Sequence, residues 1–108
     1  MNNYLLLYSG GQMPATEMER QAVTAEWMVW LNKWSNNVVD QGNPFTPMSK
    51  NITSDGRIHD GSIGAMPSGY SVIKASSMDE ALRIAQGCPV LKGGAIITVY
   101  ETFNAMGG

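Results

Sequence analysis

Histidine and cysteine are almost missing from this sequence of 108 residues, which holds one of each, His59 and Cys88. A single cysteine excludes a disulfide within the chain, and one histidine with one cysteine cannot build a His/Cys zinc site. Charge is scarce as well. Charged residues make up 15% of the chain, seven Lys and Arg against nine Asp and Glu, for a net charge of −2. The basic residues are scattered and form no stripe, so binding of nucleic acid or of a membrane surface by charge is not expected. No stretch approaches the ~20 apolar residues of a membrane span. The opening run Tyr4 to Tyr8 is only five residues long and no positive charge precedes it, unlike a signal peptide. A cytoplasmic protein is therefore expected. No tight acidic loop suggests calcium. Gly10-Gly11 stands between a strand and a helix, where phosphates bind, but no Lys-Ser/Thr follows and Glu17 and Glu19 already occupy the positive helix end. No cofactor is expected.

What remains is apolar. Residues of that class make up 44% of the chain, which argues against disorder. The length fits a single domain, residues 1–108, with 104–108 as a loose tail. So little charge on so much apolar surface hints at an oligomer.

The elements can be read in order. Tyr4-Leu5-Leu6-Leu7-Tyr8, closed by Ser9-Gly10-Gly11, reads as a strand. Thr16 and Glu19 form a capping box, followed by Val23, Trp27, Trp30, Leu31, Trp34 and Val38 on one stripe of a helix expected over about 17–41, with Gly42 as its stop. Three tryptophans on one stripe point to core. Residues 43–50, with two prolines, read as a loop. Asp55-Gly56 signals a two-residue type I′ turn between short strands. That register would set Ile52 opposite His59 and Ser54 opposite Arg57. Residues 60–69 form a second loop, and Tyr70 to Ala75 a strand. Ser77 and Glu80 make another capping box, opening a helix with Ala81, Leu82, Ile84 and Ala85 inward; Gly87 and Pro89 stop it. Cys88 then reads as a packed helix-end residue, and Ala95 to Glu101 as the last strand. Strand, helix, hairpin, strand, helix, strand is the β-α-β-β-α-β pattern of a ferredoxin-like α+β sandwich.

The ordered blocks Y-L-L-L-Y-S-G-G, W-M-V-W-L, D-Q-G-N-P, the S-D-G hairpin, G-Y-S-V-I-K-A-S-S-M-D-E-A and G-G-A-I-I-T-V-Y-E resemble the YCII-related family, which also carries the DGPF name. The resemblance covers nearly the whole chain. It implies a ferredoxin-like fold and a homodimer in which two sheets face each other as a dimeric α/β barrel. A His–Asp active-site pair has been proposed within the family, and other members lie beside or within alternative sigma factors, which implies a regulatory or accessory role. The signature Asp-Gly-Pro-Phe appears here as Asp60-Gly61-Ser62-Ile63, matched at its first two positions only.

His59 and Asp60 are thus the candidate catalytic residues. Neighbours on a strand face opposite ways, so the two can pair only if the chain bends between them. The plainer reading makes His59 a hairpin-end residue and Asp60 a turn residue capping backbone N–H groups. The second candidate site is a sheet face. Two helices cover one face of a four-stranded sheet. Assigning Leu5, Leu7, Ile97 and Val99 to the helices leaves Tyr4, Leu6, Tyr8, Thr98 and Tyr100 on the other face, with Tyr70 and Val72 as further members. Tyr8, Tyr70 and Tyr100 are the candidate ligand-binding residues, since tyrosine joins an apolar body to a polar tip. The expected protein is a homodimer with a small-molecule cleft. The alternatives are a non-catalytic accessory module of sigma-factor regulation and a cofactor-free lyase, isomerase or oxygenase.

Overall fold

The computed structural model describes residues 1–64 and 66–106. The chain runs β1 (Asn2–Ser9), α1 (Glu17–Lys33), β2 (Val38–Asp40), β3 (Lys50–Ile52), β4 (Ile58–Asp60), β5 (Pro67–Ala75), α2 (Met78–Ala85), a 3-10 turn (Pro89–Gly93) and β6 (Ile96–Glu101). Strands β2, β5, β1 and β6 form, in that order, one antiparallel sheet. With β2 and β5 counted as second and third strands, this is the ferredoxin-like α+β arrangement. Strands β3 and β4 stand apart as a two-stranded sheet of their own.

Both capping boxes form as the sequence requires. Glu19 N–H donates to Thr16 Oγ1 at 3.1 Å, and Glu80 N–H donates to Ser77 Oγ at 3.1 Å. Each acidic partner reaches back, Glu19 to Ala15 N–H and Glu80 to Ser76 N–H.

The first helix is shorter than expected. It ends at Lys33, with Trp34 as C-cap, and Val38 belongs to a strand. The reason lies in Ser35-Asn36-Asn37. Short polar side chains compete for backbone hydrogen bonds and are poor helix formers, while the next residues, Val38-Val39, favour an extended chain. Asn37 Nδ2 then donates to Lys74 O at 2.9 Å, and Lys74 N–H donates to Asn37 O at 2.7 Å, which fixes β2 against β5. The second sheet strand therefore comes from residues expected in the helix, and the hairpin is an insertion between it and β5.

The hairpin register also differs. Lys50 faces Asp60, Asn51 faces His59 and Ile52 faces Ile58. Thr53 N–H bonds Arg57 O at 2.9 Å, and Gly56 N–H bonds Thr53 O at 2.8 Å. The turn is thus the three residues Ser54-Asp55-Gly56, with Gly56 at φ +85°, the type I turn followed by a left-handed glycine. One extra loop residue moves every cross-strand partner by one.

The core lies between the helices and one sheet face. Tyr4, Leu6, Tyr8, Trp30, Ile73, Ala75, Ala81, Ile84, Ala85 and Cys88 form it, with Trp27, Leu31, Trp34, Val38, Ile97 and Val99 packed against it. Assignment of the last strand holds, since Ile97 and Val99 face the helices, but β1 is turned over. Tyr4, Leu6 and Tyr8 point to the helices, and Leu5 and Leu7 to the open face. Leu82, expected inward, is 43% exposed.

Trp30 anchors the layers. Its Nε1–H donates to Ile84 O at 2.9 Å, joining α1 to the end of α2, and its ring stands edge-on to Trp27. The molecule is thin, 45 × 38 × 19 Å, and its radius of gyration of 15.4 Å exceeds the ~13 Å usual for a compact domain of this length.

Candidate functional site

The open face of the sheet is built by cross-strand rows. Tyr100, Leu5 and Val72 form one row, and Thr98, Leu7 and Tyr70 the next. Among the described residues no helix packs on this side, and Tyr100 is 50% and Ile96 69% exposed. Of the three tyrosines expected together, Tyr70 and Tyr100 share this face. Tyr8 lies on the opposite side, buried.

At the β2 edge the face acquires chemistry. Asp40 sits opposite Val72, and a bulge between Val38 and Asp40 turns it onto the open side. Its Oδ2 accepts from the Tyr70 hydroxyl at 3.2 Å, while its Oδ1 accepts from Gly42 N–H at 2.9 Å. The carboxylate beside it pushes the Tyr70 hydroxyl pKa up, first through the hydrogen bond and then through charge. The Phe45 ring stacks on Tyr70 with centroids 5.9 Å apart and planes 22° apart. Backbone pairing holds Phe45 there, since Phe45 N–H bonds Ser68 O at 2.8 Å and Pro44 bridges Gly69. The convergence of Asp40 and Phe45 on Tyr70 was not foreseen, since Asp40 fell inside an over-long helix and Phe45 in a loop. Asp40 two residues before Gly42 was the available signal, an aspartate–glycine turn.

Gly42 makes this corner possible. It has φ +71°, and a Cβ there would lie 1.7 Å from Tyr70 O. Beneath the corner runs a buried polar chain. Tyr8 O–H donates to Ser71 Oγ at 2.6 Å, and Ser71 O–H donates to Gln41 O at 2.8 Å. Cys88 Sγ lies 3.7 Å from the Tyr8 hydroxyl. Burial raises the pKa of the Tyr8 hydroxyl far above its usual range and pushes the Cys88 thiol up as well. Both groups stay neutral near pH 7, and the thiol lacks thiolate character.

His59 and Asp60 occupy β4 of the separate hairpin, on residues that are exposed throughout. Asp60 Oδ1 takes Lys50 Nζ at 2.7 Å. His59 Nε2 lies 3.4 Å from Thr53 Oγ1, which donates to Asp55 Oδ1 at 2.5 Å. The structure therefore brings His59 toward Thr53 and Asp55, and Asp60 toward Lys50. Among the described residues, no cluster of three or more His, Cys, Asp or Glu could hold a metal ion, and no helix is long and apolar enough to cross a membrane.

A cavity of about 400 Å³ opens beside the Phe45 loop, between residues 44–49 and Ser62, Met66 and Pro67.

No family model and no curated protein matches the sequence. Among solved structures, the chain is similar to 5-chloro-2-hydroxyhydroquinone dehydrochlorinase (TftG) from Burkholderia phenoliruptrix AC1100, in complex with 2,5-dihydroxybenzoquinone. The TM-score is 0.56 at 19% identity, over 95% of this chain and 96% of that one. At that identity the likeness speaks for the fold, a ferredoxin-like α+β domain.

Proposed function

We propose that this chain, a YCII-related protein of the cytoplasm, forms a homodimer through its open sheet face and binds a small molecule in a cleft at the Asp40–Tyr70 corner, with Tyr100 on the same face. One observation carries the reading: the rows Tyr100–Leu5–Val72 and Thr98–Leu7–Tyr70 form an apolar sheet face with no helix on it, in a molecule 19 Å thick. A continuous apolar face of this kind belongs to an interface or a ligand site. Its polar groups lie toward its edges: the Thr98 and Tyr100 hydroxyls on β6, and on the β2 side the Asp40–Tyr70 pair, in which Asp40 accepts and Tyr70 donates. That pairing suits a neutral ligand carrying hydroxyl or carbonyl groups, which orient it within an apolar cleft.

Light scattering at micromolar concentration tests the dimer. The wild type should weigh twice the chain mass, and Leu7→Lys should become a folded monomer. A monomeric wild type refutes the dimer. Resorcinol, whose hydroxyl can donate to Asp40, probes the cleft. Thermal stabilisation by resorcinol that is lost in Asp40→Ala and reduced in Tyr70→Phe supports the cleft. A dimer that binds no such compound returns the protein to the accessory, non-catalytic role.

The Asp40–Tyr70 pair also favours a second reading, a cofactor-free lyase. The similar fold in TftG carries a dehydrochlorinase, by its name. In a 1,2-elimination from the keto tautomer of a halogenated hydroxyaromatic, whose two reacting ring carbons are saturated, Asp40 would take the proton from one carbon, the freed electron pair would form the ring double bond, and the halide would leave the other carbon with its own pair. The Tyr70 O–H, which donates to Asp40 in the free protein, would turn from Asp40 to a substrate oxygen that gathers charge. Asp40→Asn should then abolish turnover of a halogenated hydroxyaromatic substrate without changing the dimer. No turnover by the wild type across such substrates would remove this reading and leave the binding one.

A further inference from the structure

We infer that the cavity beside the Phe45 loop is a second small-molecule site, selective for a neutral aromatic ligand bearing one hydrogen-bonding group. This site lies apart from the sheet cleft, and its Phe45 wall is the one that stacks on Tyr70. Its described lining is Pro44, Phe45, Thr46, Pro47, Met48, Ser49, Ser62, Met66 and Pro67, a set without one charged side chain. A charged ligand would lose its hydration there and find no countercharge. At about 400 Å³ the space is in the range of sites that take compounds of one or two rings. Prolines give it stiff apolar walls, and the Phe45 ring, held against Tyr70, gives it an aromatic side. Met48 and Met66 are 81% and 63% exposed, so two flexible thioethers stand at the opening and can close over a guest.

Ser62 supplies the selective element. Its Oγ is shielded from water and, among the described residues, has no hydrogen-bond partner. A hydroxyl removed from water without a new partner destabilises the fold. Ser62 lines the cavity, so a polar atom of a seated ligand beside it would offer this hydroxyl the partner it lacks. The ligand then resolves a desolvation cost that the empty fold carries. This position follows Asp60-Gly61, where the family signature would place proline, which has no hydroxyl.

Titration of protein labelled at its methionine methyl groups tests the site, with 2-naphthol and naphthalene as probes of equal shape. With 2-naphthol, the methyl signals of Met48 and Met66 should shift and saturate, while those of Met18 and Met106 stay fixed. Ser62→Ala should bind 2-naphthol about fivefold more weakly, the scale of one hydrogen bond. It should bind naphthalene as well as the wild type does, and its Tm should be no lower. These shifts report this site rather than the sheet cleft, because Met48 and Met66 line the cavity. Absence of saturable shifts at Met48 and Met66 overturns the site. Equal 2-naphthol binding by Ser62→Ala and wild type overturns the role of the hydroxyl, and a lowered Tm shows that the hydroxyl is already bonded in the empty protein.

Discussion

The Tyr8 hydroxyl donates to Ser71 Oγ at 2.6 Å, linking the C-terminal end of β1 to β5 from within the helix-side core. Ser71 passes the bond on to Gln41 O, so the interior is tied to the corner that carries Asp40 and Gly42. Tyr8→Phe cuts the chain at its start. Ser71 keeps its own donor bond, so the loss should be about 1–1.5 kcal/mol, one buried hydrogen bond. Denaturant unfolding measures it.

The same hydroxyl sets a limit at high pH. Burial, and then the neighbouring Cys88, raises the folded-state pKa of Tyr8 well above the ordinary 10.0. In the unfolded chain it ionises near that ordinary value, while the folded chain keeps its proton. Between those two points the unfolded state binds fewer protons, so stability falls as pH rises. Stability from this group is fully present below pH 10 and declines above it. Tyr8→Phe should flatten that decline. An unchanged slope of unfolding free energy between pH 9.5 and 11 would show that Tyr8 does not control it.

Gly42→Ala should be among the most damaging single changes. The site has φ +71°, and the added Cβ would meet Tyr70 O at 1.7 Å, a backbone atom held in the β5 ladder. Neither the strand nor the turn can yield cheaply. The expected cost exceeds about 3 kcal/mol, beyond the usual range for one substitution. Gly56→Ala is the control. It has φ +85° but open space around its Cβ, so only the left-handed backbone penalty of about 1–2 kcal/mol applies. Thermal unfolding of the two variants should rank them in that order.

These cases show what could be read from the chain beforehand. Helix starts were legible because Thr16 and Ser77 cap locally, within three residues of their partners. The α1 end was not, because the tryptophan stripe continued numerically into Val38 although Ser35-Asn36-Asn37 had already broken the helix. Tyr-Leu-Leu-Leu-Tyr is apolar on both faces, so its period of two cannot say which side meets the helices. Partners far along the chain decide it, Ser71 for Tyr8 and Glu101 for Tyr4. The Asp40–Tyr70 corner depends on that same long-range pairing, and no local spacing reveals it. His59 and Asp60 were visible as residue types, but their partners followed from a turn one residue longer than the Asp-Gly signal suggests.

Trp30→Phe tests the anchor between the helices. Phenylalanine keeps much of the ring packing but cannot donate to Ile84 O, leaving that carbonyl without its indole partner. A loss of about 2 kcal/mol is expected, from one buried hydrogen bond plus the missing ring volume. Trp34, only half-buried, serves as comparison, and Trp34→Phe should cost under half as much by chemical denaturation.

The hairpin offers the last test. Thr53 O–H and Arg57 N–H both donate to the Asp55 carboxylate, at 2.5 and 3.0 Å. Thr53 first, and Arg57 N–H second, hold the Asp55 pKa below the ordinary aspartate value. A carboxylate depressed in the folded state contributes stability above its unfolded value, and that contribution is lost as pH falls through the folded one. The turn should therefore loosen in acid, seen as faster exchange of the Arg57 and Gly56 amides at pH 3 than at pH 6 after correction for intrinsic rates. Thr53→Ala should move the Asp55 titration upward, and the loosening with it. Asp60→Asn should do neither. Its partner Lys50 is 61% exposed and Asp60 itself 91%, so their ion pair contributes little, within about 0.5 kcal/mol. If Asp60→Asn instead shifts the titration of His59 measured by NMR, the two side chains are coupled in solution. Asp60 would then act on the imidazole rather than on Lys50, and the catalytic reading of His59 and Asp60 would gain the physical contact it needs.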